Sequence, residues 1–237
     1  MLKQIIKAIV PLGLLYLYRN KGAIIRRLRY LGYKPYGYGE SLGEFVNWIK
    51  ANAKIEVKNI FEIGANFAQD ADYLAGRFNI KPENVYVFEA HPELYKAIIK
   101  LHRFNAYHCA VFNEEKDINF NIVPMDSSNS GVSSIFQVKH DLASKKSITS
   151  IRMDKFMNEN NIVAIDFLKL DVEGASYEVL EGFGDRIRDI KVLHVEAEHS
   201  SCPWILGTTK YFDDIAALLN RNGFEMIYFK RITWKAL

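Results

Sequence analysis

The sequence predicts one α/β domain over residues 40–237, with a Rossmann-like, mostly parallel sheet and helices on both faces. Two observations predict it. Apolar segments of strand length alternate with segments of helical periodicity, which indicates right-handed βαβ units. Acidic residues also follow the predicted strands at their carboxyl ends, the edge at which open α/β sheets bind ligands. A chain of 237 residues is long enough for one such domain with a full core.

Each element is predicted from its own pattern of apolar residues. Helices are predicted over 42–51, 67–78, 92–103, 175–183 and 209–222. Strands of the parallel sheet are predicted over 57–63, 84–89, 106–111, 164–170 and 191–197. Two additional strands, over 117–123 and 147–153, flank a loop rich in serine at 126–134, and residues 223–231 predict a closing antiparallel strand.

Residues 1–39 form a basic arm that differs from the rest of the chain. They contain eight basic residues and no acidic one, so that the remaining residues carry −5 within a whole-chain charge of +3. That acidic remainder argues against a broad nucleic-acid-binding surface. The apolar run 5–18 is shorter than the roughly 20 residues of a membrane-spanning helix. No small-residue cleavage site follows it, which argues against a signal peptide.

Two interpretations of the arm stay open. As an interfacial helix it would lie on an anionic inner leaflet, so that residues 1–34 make peripheral contact with the membrane. As a packed helix it would cover the domain or a second subunit, which leaves a homo-oligomer open. The two cysteines, Cys109 and Cys202, have no metal-binding spacing, and we expect a reduced, cytoplasmic location.

The turn after the first strand of the predicted sheet carries the most information about a ligand. Residues 59–68 read NIFEIGANFA, an apolar strand that contains Glu62 and ends before a single glycine, Gly64. A dinucleotide-binding turn needs three glycines spaced GxGxxG, so that backbone N–H groups can approach a pyrophosphate. A carboxylate repels a phosphate but attracts an ammonium group. The turn therefore favours S-adenosylmethionine, which has an ammonium group and no phosphate, over a dinucleotide.

Further acids follow the next strands. Glu89 ends the strand 84–89, where an acid accepts hydrogen bonds from the two hydroxyls of a ribose, although NAD would use the same acid. Asp171 and Glu173 follow the strand 164–170. Lys169 lies within that strand, and we expect it to pair with one of these acids because an unpaired buried charge is costly.

The end of the strand 191–197 is also polar. Alternation along the strand places Glu196 and Glu198 on one face and His199 on the other. These side chains are candidates for contact with a substrate, beside the site at which the donor is expected to bind.

Several of these motifs resemble the FkbM family of S-adenosylmethionine-dependent O-methyltransferases. The resemblance covers roughly residues 57–200 and rests on FEIGAN at 61–66, FEAHP at 88–92, IRMD at 151–154, LKLDVEGA at 168–175, VLEG at 179–182 and HVE at 194–196. Glu62 stands where the family usually has an aspartate, and Ala68 where it commonly has a glycine. We expect the longer acid to alter the ammonium contact, and Ala68 to narrow the approach of the methionine moiety.

The resemblance implies a class I methyltransferase fold and methyl transfer to a hydroxyl group. The acceptor would be a secondary metabolite or a sugar of a surface glycan such as capsule or O-antigen, and the basic arm favours the glycan because such enzymes often work near the inner membrane. The predicted cofactor-binding residues are Glu62, Gly64, Ala65, Asn66, Glu89, Ala90, Ala110 and Asp171. The predicted catalytic residues are Asp171, Glu173, His199 and Lys169.

Alternatives remain for the chemistry. Asp171 is the first candidate base, with Glu173 orienting it and His199 as a second base. Instead, a Mg²⁺ or Mn²⁺ ion held by Asp171 and nearby carboxylates would acidify the hydroxyl. Residues 127–134 would form either a lid over a polyol or a mobile polar loop. Competing functions are methyl transfer to a metabolite, phosphate or nitrogen acceptor, an NAD-dependent oxidoreductase, and a binding subunit without catalysis.

Overall fold

The computed structural model describes residues 40–124, 130–137, 143–201, 203 and 205–229. Its helices are α1 (Glu40–Asn52), α2 (Gln69–Phe78), α3 (Pro92–Leu101), α4 (Met153–Glu159), α5 (Ser176–Glu181) and α6 (Phe212–Arg221). Its strands are β1 (Ile60–Ile63), β2 (Val85–Phe88), β3 (Asn105–Tyr107), β4 (Ala110–Val111), β5 (Asp117–Ile122), β6 (Ser144–Ile151), β7 (Ile165–Leu170) and β8 (Ile190–Val195). The predicted helix of the basic arm, residues 126–129 of the serine-rich loop and Cys202 lie outside the described residues.

The main sheet has five parallel strands in the order β3-β2-β1-β7-β8. β1 is central, and its last residue, Ile63, is level with Phe88 at the end of β2 and with Leu170 at the end of β7. Leu170 is in turn level with Val195 at the end of β8. The residues that follow these four strands therefore emerge along one edge of the sheet.

Helices cover both faces of this sheet, as the sequence predicts. On one face α1, α2 and α3 pack against inward side chains such as Ile60, Val87 and Phe167. On the other face α4, α5 and α6 pack against Phe61 and Leu168. Successive strand residues point to opposite faces, so both faces need apolar residues, and the strands are apolar nearly throughout. The α/β fold class is confirmed.

A smaller sheet, in the order β4-β6-β5, lies beside the main one. β5 and β6 form an antiparallel hairpin, and β4 pairs in parallel with the end of β6. Its apolar side chains form a separate cluster in which Phe120 and Ile148 pack with Ala90 and Ala110. The predicted strand 106–111 is thus two strands, because β3 pairs with β2 whereas β4 pairs with β6.

Two elements differ from the prediction. The strand predicted over 147–153 begins earlier and ends at Ile151, and helix α4 follows it. Met153, Phe156 and Met157 of α4 are buried. Their spacing of three and four is helical, but two turns are too short to stand out in the sequence.

The closing antiparallel strand is not formed in its described part, because residues 224–229 have no strand pairing. This segment contacts α1 instead, with the ring of Tyr228 lying 5.8 Å from that of Phe45. Residues 230–231 lie outside the described part of the chain. None of the helices in that part has the length and apolar character that a bilayer crossing requires.

Candidate functional site

A cavity opens at the carboxyl edge of the main sheet, beyond β1, β2 and β7. This edge is where open α/β sheets bind ligands. All the predicted cofactor-binding residues line the cavity: Glu62, Gly64, Ala65, Asn66, Glu89, Ala90, Ala110 and Asp171. Two of the predicted catalytic residues, Asp171 and Glu173, also line it. The topology therefore collects these residues, which are as far apart as 111 positions in the sequence, into one cavity.

The turn after β1 is hydrogen-bonded to the end of β2 and lies in close contact with the residue that follows β7. The N–H groups of Gly64 and Ala65 both donate to the carbonyl oxygen of Phe88, at 3.0 and 3.1 Å. Gly64 has a φ of +80°, and a Cβ atom there would lie 1.8 Å from the carbonyl oxygen of Asp171. Only glycine therefore allows β1 and β7 to approach so closely at the cavity.

Ala68 has a different role from the predicted one. It is fully buried in the core under the turn and does not line the cavity, so it does not narrow the approach of a ligand. Its φ of +54° lies in the left-handed region, which favours glycine. The consequence of alanine at this position is local backbone strain.

Glu62 at the cavity lining and Lys169 behind it belong to a buried network of ionisable groups. The Glu62 side chain accepts a hydrogen bond from the N–H of Ala71 in α2, at 3.0 Å. Burial, together with the charge of Asp70, raises the pKa of Glu62 well above its usual value. Lys169 Nζ lies 3.1 Å from Asp171 Oδ2 and 4.0 Å from Asp70 Oδ2, which is the kind of pairing that the sequence predicts. Burial acts to lower the pKa of Lys169, but these carboxylates outweigh it and raise the pKa.

Glu89 is held by the backbone of two turns. Its Oε2 accepts from the N–H of Asn66 at 2.7 Å, and its Oε1 accepts from the N–H of His91 at 2.6 Å. Burial raises the pKa of Glu89 to about 7, although these backbone hydrogen bonds lower it. A carboxylate has about four lone-pair sites, so Glu89 can still accept a hydroxyl proton beside these backbone donors. The cap of α3 is His91, whose Nδ1 accepts from the N–H of Glu93, so Glu89 is free of that structural role.

The rim of the cavity beyond β7 and β8 is acidic. Burial and the charges of Asp171 and Glu196 raise the pKa of Glu173 to about 8. The carboxyl of Glu196 forms a hydrogen bond with that of Asp171, and the charge of Asp171 is the main cause that raises the pKa of Glu196 to about 7. The sequence predicts Glu196 as a candidate for contact with a substrate, but not as a catalytic or cofactor-binding residue, and the structure places it against Asp171. Alternation along the strand gives its face only, and the pairing of β7 with β8 brings it to Asp171.

His199 is not brought to the cavity. Its Nδ1 lies 2.8 Å from the hydroxyl oxygen of Ser201, and the ring is not part of the cavity lining. β8 ends at Val195, so His199 lies four residues beyond the sheet, whereas Asp171 directly follows the end of β7.

The metal alternative has no support in the geometry. Among the residues that the structure describes, no three His, Cys, Asp or Glu side chains are grouped so that they could hold a metal ion. Asp171, the expected ligand, is engaged by Lys169 and Glu196 instead.

The wall of the cavity opposite the sheet comes from the small sheet and its loop. Phe120, Gly131, Ser133 and Ile135 line it, and sequence reasoning does not identify the two apolar side chains. The loop is tied to the rim, because the hydroxyl of Ser134 donates to the carbonyl oxygen of Glu173 at 2.6 Å. The described part of the predicted lid, residues 130–134, is therefore a hydrogen-bonded wall.

Glu173 lies at the joint between this wall and the rim. Its φ of +50° is unusual for a residue with a side chain, and strain of this kind costs about 1–3 kcal/mol. The hydrogen bond from Ser134 and the burial of the following turn hold that conformation. The result is that the Glu173 carboxyl faces the cavity.

Comparison with known proteins gives three matches. Residues 62–226, more than half of the chain, match the family described as the methyltransferase FkbM domain. The SrfA-induced gene F protein of Dictyostelium discoideum is 38% identical over 80 residues, which are 30% of this chain and 34% of that protein. The chain thus spans about a third of that relative.

A solved structure also resembles the chain. The crystal structure of methyltransferase FkbM from Methylobacillus flagellatus KT matches 77% of this chain and 49% of its own, with 13% sequence identity and a TM-score of 0.41.

Proposed function

Because the chain belongs to the FkbM methyltransferase family, we propose that it transfers a methyl group from S-adenosylmethionine to a hydroxyl oxygen, most simply that of a sugar. The observation that carries this proposal is the lining of the cavity. Its charged side chains are all acidic among the described residues, and its turn has one glycine. A pyrophosphate would meet repulsion there, which disfavours an NAD-dependent oxidoreductase. The donor, in contrast, carries an ammonium and a sulfonium group.

The residues of the cavity fit this donor. The side-chain oxygens of Asn66 and Gln69 are buried without a hydrogen-bond partner, and both residues line the cavity. Buried acceptors without a partner are costly, and an ammonium group would supply the missing donors. Glu89 would accept the ribose hydroxyls, and an ammonium group bound beside Glu62 would favour the ionised form of that carboxyl. When bound, S-adenosylmethionine supplies an electrophilic methyl group.

Asp171 is the residue that we place in the role of general base. A hydroxyl is a poor nucleophile while it keeps its proton, and a positioned base typically contributes about 10²–10⁴-fold. Lys169 Nζ lies 3.1 Å from Asp171 Oδ2 and holds that side chain at the cavity, where it can take a proton from an acceptor hydroxyl. Positioning the acceptor oxygen in line with the methyl group contributes the larger share, roughly 7–11 kcal/mol.

The acidic rim supports a neutral acceptor over an anionic one. Asp171 and Glu173 line the cavity, and Glu196 is hydrogen-bonded to Asp171. An acceptor phosphate close to the reacting hydroxyl would face the Asp171 carboxylate and would oppose the ionisation of Glu173 and Glu196, and the described lining offers it no cationic side chain. This is why we favour a sugar hydroxyl over a lipid-linked phosphate. The eight basic residues of the arm support an enzyme that works at an anionic membrane surface, where surface glycans are assembled.

Calorimetry and a transfer assay test the proposal. The full chain should bind S-adenosylhomocysteine and should not bind NAD. Radiolabelled S-adenosylmethionine should then label neutral sugars and glycans, and mass spectrometry should show a methyl ether. Binding of NAD alone would overturn the assignment of S-adenosylmethionine as the donor. Labelling of a nitrogen or a phosphate, with no methyl ether on any of the sugars and glycans, would overturn the assignment of a hydroxyl acceptor.

A further inference from the structure

The charged side chains that line the cavity have one sign. Glu62, Asp70, Glu89, Asp171 and Glu173 line it, and no lysine, arginine or histidine does so within the described ranges. Lys169 is a neighbouring cation, but it lies behind the lining and pairs with Asp171 and Asp70. The walls beyond these groups are apolar, with Phe88, Leu94 and Phe120 among them. Charges next to apolar walls interact more strongly than they do in water.

We propose that this cavity discriminates between donor and product by charge, so that it binds S-adenosylmethionine more tightly than S-adenosylhomocysteine. This inference rests on the proposed function. The two molecules share the adenosine, the ammonium group and the carboxylate, and they differ in the sulfonium methyl. The donor carries a net charge of +1 and the product carries none, so that the difference in affinity isolates one positive charge among five carboxyl groups.

The reaction itself removes that charge. The bond between carbon and sulfur breaks with its electron pair staying on sulfur, and a bond between carbon and the acceptor oxygen forms. The hydroxyl proton passes to the Asp171 carboxylate and then to solvent. The product is left in a site that is built for a cation, and its release is favoured for the same reason that the donor was bound.

Binding of a cation is also linked to protons. The pKa of Glu89 is raised to about 7 and that of Glu173 to about 8, so both hold protons near neutrality in the protein alone. The charged groups acting on Glu173 are Asp171, Glu196, Glu198 and Lys169, and the one acting on Glu89 is Asp171. A bound cation lowers both pKa values and releases protons. The affinity for a charged ligand therefore rises with pH more than the affinity for an uncharged one.

The test uses two stable ligands and the full chain. Sinefungin has the adenosine and amino-acid parts of the donor but carries a protonated amine on carbon in place of the sulfonium group. We expect calorimetry at about pH 8 to show sinefungin bound at least about tenfold more tightly than S-adenosylhomocysteine. The ratio of sinefungin affinity to S-adenosylhomocysteine affinity should be smaller at about pH 6. Calorimetric titration in two buffers of different ionisation enthalpy should show that sinefungin binding releases protons.

A matched pair of variants assigns the effect to the lining. Glu173→Gln removes one ionisable carboxyl from the cavity at constant size, and at about pH 8 it should lower the ratio of sinefungin affinity to S-adenosylhomocysteine affinity several-fold. Glu159→Gln removes an exposed carboxylate at the end of α4, outside the lining, and should leave the ratio unchanged. If Glu173→Gln does not fold, raising the salt concentration from about 0.05 to about 0.5 M on the unmodified chain should lower the ratio instead.

The outcomes separate this inference from the proposed function. If neither adenosyl ligand binds, the methyl-donor assignment fails and the inference fails with it. If both bind and S-adenosylhomocysteine binds equally or more tightly, the donor assignment stands and the charge discrimination is overturned.

Discussion

The two sides of the cavity are built by different means. On the donor side, the turn after β1 and the carboxylate of Glu89 are fixed by backbone hydrogen bonds and by a close contact that only Gly64 permits. On the rim, Asp171, Glu173 and Glu196 are held by one another and by Lys169. The function of the donor side should therefore be lost when its shape changes, and the function of the rim should be lost when its charge changes.

Gly64→Ala should have the largest effect. The added Cβ would lie 1.8 Å from the Asp171 carbonyl oxygen, at a φ of +80° that alanine disfavours. We expect the free energy of unfolding to fall by about 3 kcal/mol or more and donor binding to be lost. Urea denaturation and calorimetry measure both. The control is Gly76→Ala in α2, where a Cβ meets nothing within 4 Å and alanine should stabilise by about 0.5–1 kcal/mol.

Asp171→Asn should separate chemistry from binding. Removing the base should lower turnover by about 10²–10⁴-fold, whereas donor affinity should change only a few-fold because Glu89 and the turn are untouched. Steady-state rates with an accepted substrate and calorimetry with S-adenosylhomocysteine give the two quantities. Normal turnover would exclude Asp171 as the base and would shift the role to the Glu173 carboxyl.

The contrast also explains how much the sequence alone reveals. The donor side is predictable because Glu62, Gly64 and Glu89 each belong to a short motif at the end of a strand. The pairing of Asp171 with Glu196 joins two strands 25 positions apart, and no local period reports which carboxyls meet.

The wall of the cavity is harder still to predict. Phe120 belongs to a hairpin whose alternation shows a buried face but does not show what that face covers. Helix α4 is hard to predict for the same reason, because its apolar residues are buried by packing against the main sheet. A residue whose position depends on its neighbours in the sequence can thus be predicted from the sequence, whereas a residue positioned by contacts with distant segments cannot.

Glu89→Ala tests the donor side without a clash. The variant removes the acceptor of two backbone N–H groups and of the expected ribose hydroxyls. We expect donor affinity to weaken by about 1.5–3 kcal/mol, since these hydrogen bonds are charge-assisted. Glu89→Gln keeps one carbonyl oxygen and should lose less. Titration with S-adenosylhomocysteine decides, and an unchanged affinity would remove Glu89 from the site.

The rim predicts a stability that depends on pH. The pKa of Glu173 is about 8 and that of Glu89 about 7 in the folded chain, both above the ordinary value of 4.5. Between these limits the folded state binds more protons than the unfolded state, so stability falls as pH rises. We expect a loss of about 1–3 kcal/mol between about pH 6 and about pH 8.5. Urea denaturation measures it, and Glu173→Gln should flatten the curve; a flat curve in the unmodified chain would contradict the electrostatic account of the rim.

Ala68→Gly should have the smallest effect, and it tests whether strain in the turn serves the site. Alanine in the left-handed region costs about 1–2 kcal/mol, which glycine relieves. Glycine also loses a buried methyl group and gains freedom in the unfolded chain, which together cost a similar amount. We expect the free energy of unfolding to change by less than about 1 kcal/mol. Donor affinity should stay the same, because Ala68 packs in the core and does not line the cavity. A clear gain in donor affinity would mean that the strain at Ala68 shapes the cavity, and the donor side would then depend on more than the contact at Gly64.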